Sequence, residues 1–112
     1  MKHIAAVVSE GIAQATFPTG RFDGNAVREL FELAMALPDP APRLLVDCTG
    51  LTFVPSGGLG ILVAIRKRFL SNGGQLHVVL PDLQTRQSFS LAHLDQILQL
   101  FDAVDTARKA FR

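Results

Sequence analysis

Two short apolar runs, RLLVDC at 43–48 and QLHVVL at 75–80, flank a stretch with helical periodicity, and that order constrains the fold more than any other feature of the chain. The first run is broken only by Asp47, the pattern of a strand covered on both faces. Two strands joined through a helix run parallel, because the crossover returns the chain to the same end of the sheet. Helices must then pack on a largely parallel sheet. With 112 residues, 48% of them hydrophobic, there is material for one core and not for two. Residues 1–112 therefore read as a single α/β domain, a mixed and mostly parallel β-sheet flanked by helices.

The remaining elements follow from local chemistry. Residues 4–8 (IAAVV) and 12–17 (IAQATF) predict two strands joined by a tight turn at Ser9-Glu10-Gly11. Ala26, Leu30, Leu33, Ala34 and Leu37 fall at helical spacing, with Asp23 or Asn25 available as the cap, and Pro38 to Pro42 ends that helix in a stiff connector. From Gly57 to Leu70 a second helix places Ile61, Leu62, Ile65 and Phe69 on one face, and Asn72-Gly73-Gly74 closes it in a left-handed turn. A short helix over Pro81 to Leu91, an edge strand in ILQLF and a last helix from Asp102 to Phe111 complete the chain. Asp102 is the expected N-cap there, with Arg108 and Lys109 at the C-terminal end.

Several functional classes are disfavoured. A net charge of +1 provides no surplus for nucleic acid or an anionic membrane, and Arg66-Lys67-Arg68 reads as a solvated helix face. His3, His77 and His93 are scattered without metal-ligand spacing, so no metal and no cofactor is expected. Cys48 is the only cysteine and sits in an apolar run, as a core thiol does. The apolar stretch before Ser9-Glu10-Gly11 is too short for a secretory signal, and nothing approaches the ~20 apolar residues of a membrane span. A cytoplasmic chain is the expectation.

The segment FVPSGGLGIL, 53–62, is where function concentrates. Pro55 keeps Val54 extended and bars an earlier helix start, which makes Ser56 the expected N-cap. Gly57, Gly58 and Gly60 follow, although each glycine costs up to ~1 kcal/mol relative to alanine inside a helix. Bare backbone there lets another surface come close to the positive helix terminus. Ser56 as a plain capping hydroxyl is the structural alternative. For Gly57 and Gly60 we favour contact with a partner, and for Ala64 packing on the sheet. Asp47 is expected to bond the backbone of the following loop, and Asp23 to cap a helix or brace the neighbouring loop.

With these residues in order, the chain resembles the STAS domain, the fold of bacterial anti-sigma factor antagonists. The resemblance spans almost the whole sequence. It rests on Gly20 with Asp23, Asp47, Ser56 with Gly58-Leu59-Gly60, Gly73-Gly74, and Leu94 followed by the closing helix. It implies a protein-binding module and not an enzyme, which sequesters an anti-sigma factor and so frees a sigma factor in transcription regulation. The implied partner is an anti-sigma factor that is also a serine-protein kinase of the histidine-kinase-like ATPase type. It also implies phosphorylation at Ser56 as the switch, with Pro55, Ser56, Gly57, Gly58, Gly60 and Asp23 at the partner surface. No nucleic acid and no direct membrane insertion are implied, and a homodimer is compatible with it. Pro55 and Gly57 depart from the pattern, since phosphorylated members typically carry an aspartate before the serine and often a second serine after it. His93 stands where a glycine usually ends the third helix, and histidine accepts a left-handed cap.

Two other readings remain open at this level. In the same fold the domain would serve as an accessory subunit of a lipid ABC transporter. From a different class, the loop would cradle an anion in a small nucleotide- or anion-binding enzyme, although GGLG matches neither phosphate-binding fingerprint and no base is positioned for Ser56.

Overall fold

The computed structural model describes residues 3–18, 20–21, 24–38, 40–53, 56–91 and 93–112, with backbone alone at 20–21, 52–53 and 56–57. The hairpin forms as expected. Strand β1 (Ala5–Ser9) pairs antiparallel with β2 (Ile12–Thr16) across Glu10 and Gly11, whose φ values of 56° and 77° give the two-residue turn that suits strand twist. Strand β3 (Gly20–Arg21) comes next, followed by helix α1 (Gly24–Ala36), which buries Ala26, Leu30 and Ala34 and leaves Leu33 half-buried. Asn25 lies inside that helix and not before it, and Asp23 falls outside the described residues.

Strand β4 (Arg43–Asp47) is the centre of a sheet ordered β1-β2-β4-β6-β7, with β6 at Gln75–Val79 and β7 at Gln99–Phe101. All pairings except the first are parallel. Alternation along β4 explains the need for cover on both sides. Leu44 and Val46 join the core with Leu62, Ile65 and Phe69 of α2 (Ser56–Asn72), while Leu45 meets Ala107 of α4 (Val104–Lys109) on the opposite face. Burying each such aliphatic or aromatic side chain contributes about 1.5–3 kcal/mol. Gly73 ends α2 at φ 77°, and the connector locks to it through Ala41 N–H donating to the Asn72 carbonyl at 2.8 Å.

Four features differ from expectation. Strand β5 (Leu51–Phe53) pairs in parallel with β3 in a separate two-stranded sheet, a contact too short to leave a periodic signal. Within ILQLF only Gln99–Phe101 is strand, because Leu94–Gln96 winds into a 3-10 turn and the Leu98 N–H closes onto the Leu94 carbonyl at 2.7 Å. The N-cap of α4 is Ala103, with no side-chain capping bond, and Asp102 instead accepts from Arg86 at 2.7 Å. Helix α3 (Leu83–Leu91) starts later than Pro81 because Asp82 caps it, its Oδ2 accepting the Thr85 N–H at 2.9 Å and the Thr85 hydroxyl at 2.6 Å. Those bonds hold the Asp82 carboxyl below its usual pKa.

Near the amino end, Glu29 on α1 ties down the start of the hairpin. Burial pushes its carboxyl up, but bonds from the His3 N–H at 2.9 Å, from the His3 ring and from the Ile4 N–H at 3.3 Å outweigh it, and the pKa falls to about 2.

Candidate protein-docking surface

The carboxyl ends of the parallel strands form a stepped edge. Phe17 N–H donates to the Asp47 carbonyl at 3.0 Å, Cys48 N–H to the Val79 carbonyl at 2.9 Å, and Leu80 N–H to the Phe101 carbonyl at 2.8 Å. Each residue that leaves one strand is thus fixed by the end of the next. In open α/β sheets this edge is where ligands and partners find loops set on a rigid base.

Asp47 organises the turn that leads into the site. It is 8% exposed, and its Oδ1 accepts the Thr49 N–H at 3.0 Å and the Thr49 hydroxyl as well. Leu51 N–H then bonds the Cys48 carbonyl at 3.0 Å, and the chain enters β5. The expected loop-bonding role of Asp47 is therefore present. Thr49, which that reading did not name, is the partner; an acid followed two residues later by threonine was the available signal. Cys48 is fully buried, and burial together with the Asp47 carboxylate pushes its thiol far above the reactive range.

Helix α2 starts at Ser56, one residue earlier than expected, so the serine is the first helical residue and not the residue before it. Pro55 lies outside the described residues, as does Asp23, and of Ser56 and Gly57 the backbone alone is described. Beyond them the helix divides into two sides. Leu62, Ile65 and Phe69 point into the core, Gly58 is buried, and Ala64 is half-buried, as packing on the sheet requires. Gly60 is exposed, and a Cβ added there would meet nothing within 4 Å. Its missing side chain is not needed for packing within the domain. The first turn of α2 carries no acidic residue, so no carboxylate on the helix itself offsets its positive pole.

Two apolar side chains stand exposed at the two ends of α3. Helix α3 packs beside β5, buries Thr85 and Phe89, and leaves Leu83 and Leu91 at 69% and 84% exposure. Sequence reading placed a helix here without separating its faces, although the pairing of Thr85 with Phe89 and of Leu83 with Leu91 through Gln87 was a usable signal. His93 follows in the left-handed conformation, φ 60°, as expected. Of the cluster read as a solvated face, Lys67 and Arg68 are exposed, while Arg66 is half-buried. Among the described residues no His, Cys, Asp and Glu grouping could hold a metal, and no helix is long and apolar enough to cross a membrane.

Comparison with known proteins gives a consistent picture. The family model described as the STAS domain matches residues 3–107. A Thermotoga maritima protein named as an anti-sigma factor antagonist is 32% identical over 70 residues, a match spanning 62% of this chain and 62% of that relative. Among solved structures, an anti-sigma factor antagonist from Mycobacterium paratuberculosis superposes with a TM-score of 0.77 at 26% identity, covering 96% of this chain and 91% of its own. A Thermotoga maritima structure from the same group reaches 0.79 at 16% identity over 96% and 93% of the two chains, a likeness of fold.

Proposed function

This chain belongs to the STAS domain family, and on that premise we propose that it is an anti-sigma factor antagonist that docks the start of α2 onto an anti-sigma factor and thereby frees a sigma factor. The observation that carries the proposal is Gly60, exposed on the outer side of α2 with open space where a side chain would stand. Bare backbone beside a positive helix pole suits close approach by another protein.

Ser56, the first residue of α2, is the phosphoacceptor in this reading. Transfer of a phosphoryl group from ATP to its hydroxyl adds a charge of about −1.5 to −2, which the helix pole tolerates within the domain and an apolar or acidic partner surface does not. The partner is then an anti-sigma factor of the serine-kinase, histidine-kinase-like ATPase type, and the phosphate dissociates the pair. Pro55 in place of an aspartate removes a carboxylate that would help orient the hydroxyl, so transfer is expected to be slow. The test combines ATP with each histidine-kinase-like ATPase encoded in the same genome and follows intact mass for wild type and Ser56→Ala. A single added phosphate in wild type alone, with loss of co-elution, is expected. Retention by none of these ATPases would remove the antagonist reading. Retention without Ser56-dependent phosphate would leave an unswitched binder.

A further inference from the structure

The hairpin strand β1 is an edge strand in which Ala5, Ala6, Val7, Val8 and Ser9 are all exposed, Val7 and Val8 at 63% and 71%. Edge strands in soluble proteins are usually guarded by charge, proline or a bulge; residues 5–8 have none of these, and the charge present at the strand is Arg108, whose guanidinium donates to the Ser9 carbonyl at 2.9 Å at its carboxyl end. The two-residue turn makes Ser9 and Ile12 the hydrogen-bonded closing pair, so Val7 and Ala5 also direct their backbone groups toward β2. Ala6 and Val8 then point their N–H and C=O groups away from the sheet. The segment is bounded at both ends. Glu29 accepts the N–H groups of His3 and Ile4 before it, and the left-handed Glu10 and Gly11 turn the chain after it.

We propose that β1 pairs antiparallel with β1 of a second copy, about a two-fold axis through Val7, to form one continuous sheet. This is the register in which both outward-facing residues are used: Ala6 of each copy exchanges backbone bonds with Val8 of the other. Pairing Ala6 with Ala6 would bring Ile4, whose N–H already serves Glu29, opposite Val8; pairing Val8 with Val8 would bring the turn residue Glu10 opposite Ala6. In the Val7 register no like charges meet, because Glu10 falls opposite Ile4 and the paired residues are alanine, valine and serine. A largely apolar trough of about 450 Å³ lined by Val8, Ala13, Leu37, Pro38 and Pro40, with Arg43 as its charged member, borders the same edge. So short a strand contact falls below the ~1,200 Å² of a standard interface, so the dimer is weak, with a Kd on the order of 10–1000 μM. The inference does not depend on the partner proposed for α2.

Sedimentation of the full chain up to about 1 mM should show a monomer–dimer equilibrium in that range. Val7→Lys sets like charges across the axis and should weaken it at least ~10-fold with an unchanged melting temperature. Register is tested by oxidation. A non-hydrogen-bonded pair holds its Cα atoms about 4.5 Å apart, within disulfide reach, so Val7→Cys should cross-link readily; Val8→Cys, opposite Ala6, should not. The buried Cys48 does not interfere. A monomer throughout the range overturns the proposal, as does a dimer that Val7→Lys leaves intact or equal cross-linking at both positions. A monomer that instead takes up an extended peptide along β1 overturns it too.

Discussion

His77 Nδ1 lies 2.9 Å from the backbone oxygen of Ala107 and donates to it, tying the central sheet to the closing helix from within the core. Its ring stacks on Phe111 with centroids 3.8 Å apart and packs at 4.8 Å against Phe101, while Nε2 is buried with no hydrogen-bond partner. Burial lowers the His77 pKa from its usual 6.5, the bond to Ala107 partly opposes this, and Arg112 lowers it further. The unfolded chain therefore binds this proton more readily than the folded one. The stability contributed by neutral His77 is complete above about pH 6.5 and declines as pH falls below it. Denaturant melts at pH 7.5 and pH 5 should show this loss in wild type and a smaller one in His77→Phe, which keeps the aromatic stack and cannot titrate. Equal losses in the two proteins would contradict the assignment.

Gly60 separates stability from docking. Because a Cβ there meets nothing within 4 Å, Gly60→Ala should stabilise the domain by about 0.5–1 kcal/mol through helix propensity. Gly60→Arg should also leave the fold intact yet reduce affinity for the anti-sigma factor at least ~10-fold, an effect of about 1.4 kcal/mol. Urea melts and titration calorimetry on the same variants check both halves. An arginine variant that binds normally places the contact elsewhere.

Gly74 behaves in the opposite way. A Cβ at this position would stand 2.8 Å from Phe69 Cγ and 3.0 Å from Asn72 Oδ1, so a buried ring or the α2 terminus must shift. Gly74→Ala should cost about 1–3 kcal/mol, read as a lower urea midpoint with the m-value unchanged.

Arg86 Nη1 donates to Asp102 Oδ1 at 2.7 Å and also reaches the Leu80 carbonyl at 3.3 Å, joining α3 to the end of β7. If Asp102 acts through this pair and not as a helix cap, Asp102→Ala should have almost no effect in an Arg86→Ala background. The double-mutant cycle should return a coupling of about 0.2–1 kcal/mol, since Asp102 is 87% exposed. A full loss that persists without Arg86 would restore the capping role.

Much of the architecture was legible because it is written in periodicity. The continuous apolar runs of β4 and β6, the spacing of Leu62, Ile65 and Phe69, and the turn glycines Gly11 and Gly73 each reflect a local rule that the chain obeys wherever it folds. The left-handed His93 was legible through the resemblance, which puts a helix-ending glycine at that position. The β3–β5 pairing was not, since it joins segments far apart in sequence and only a few residues long, with no repeat to detect.

The sequence by itself determined the class of fold, the covered central strand and the glycine-rich start of α2, because these depend on which residues are neighbours along the chain. Only the tertiary structure decided that Gly60 faces open space while Gly58 is buried, that Asp102 belongs to Arg86, that His77 sits beneath α4, and that β1 stands uncovered at the edge. Those outcomes depend on which distant segment occupies each volume, and close packing settles that for the whole domain at once.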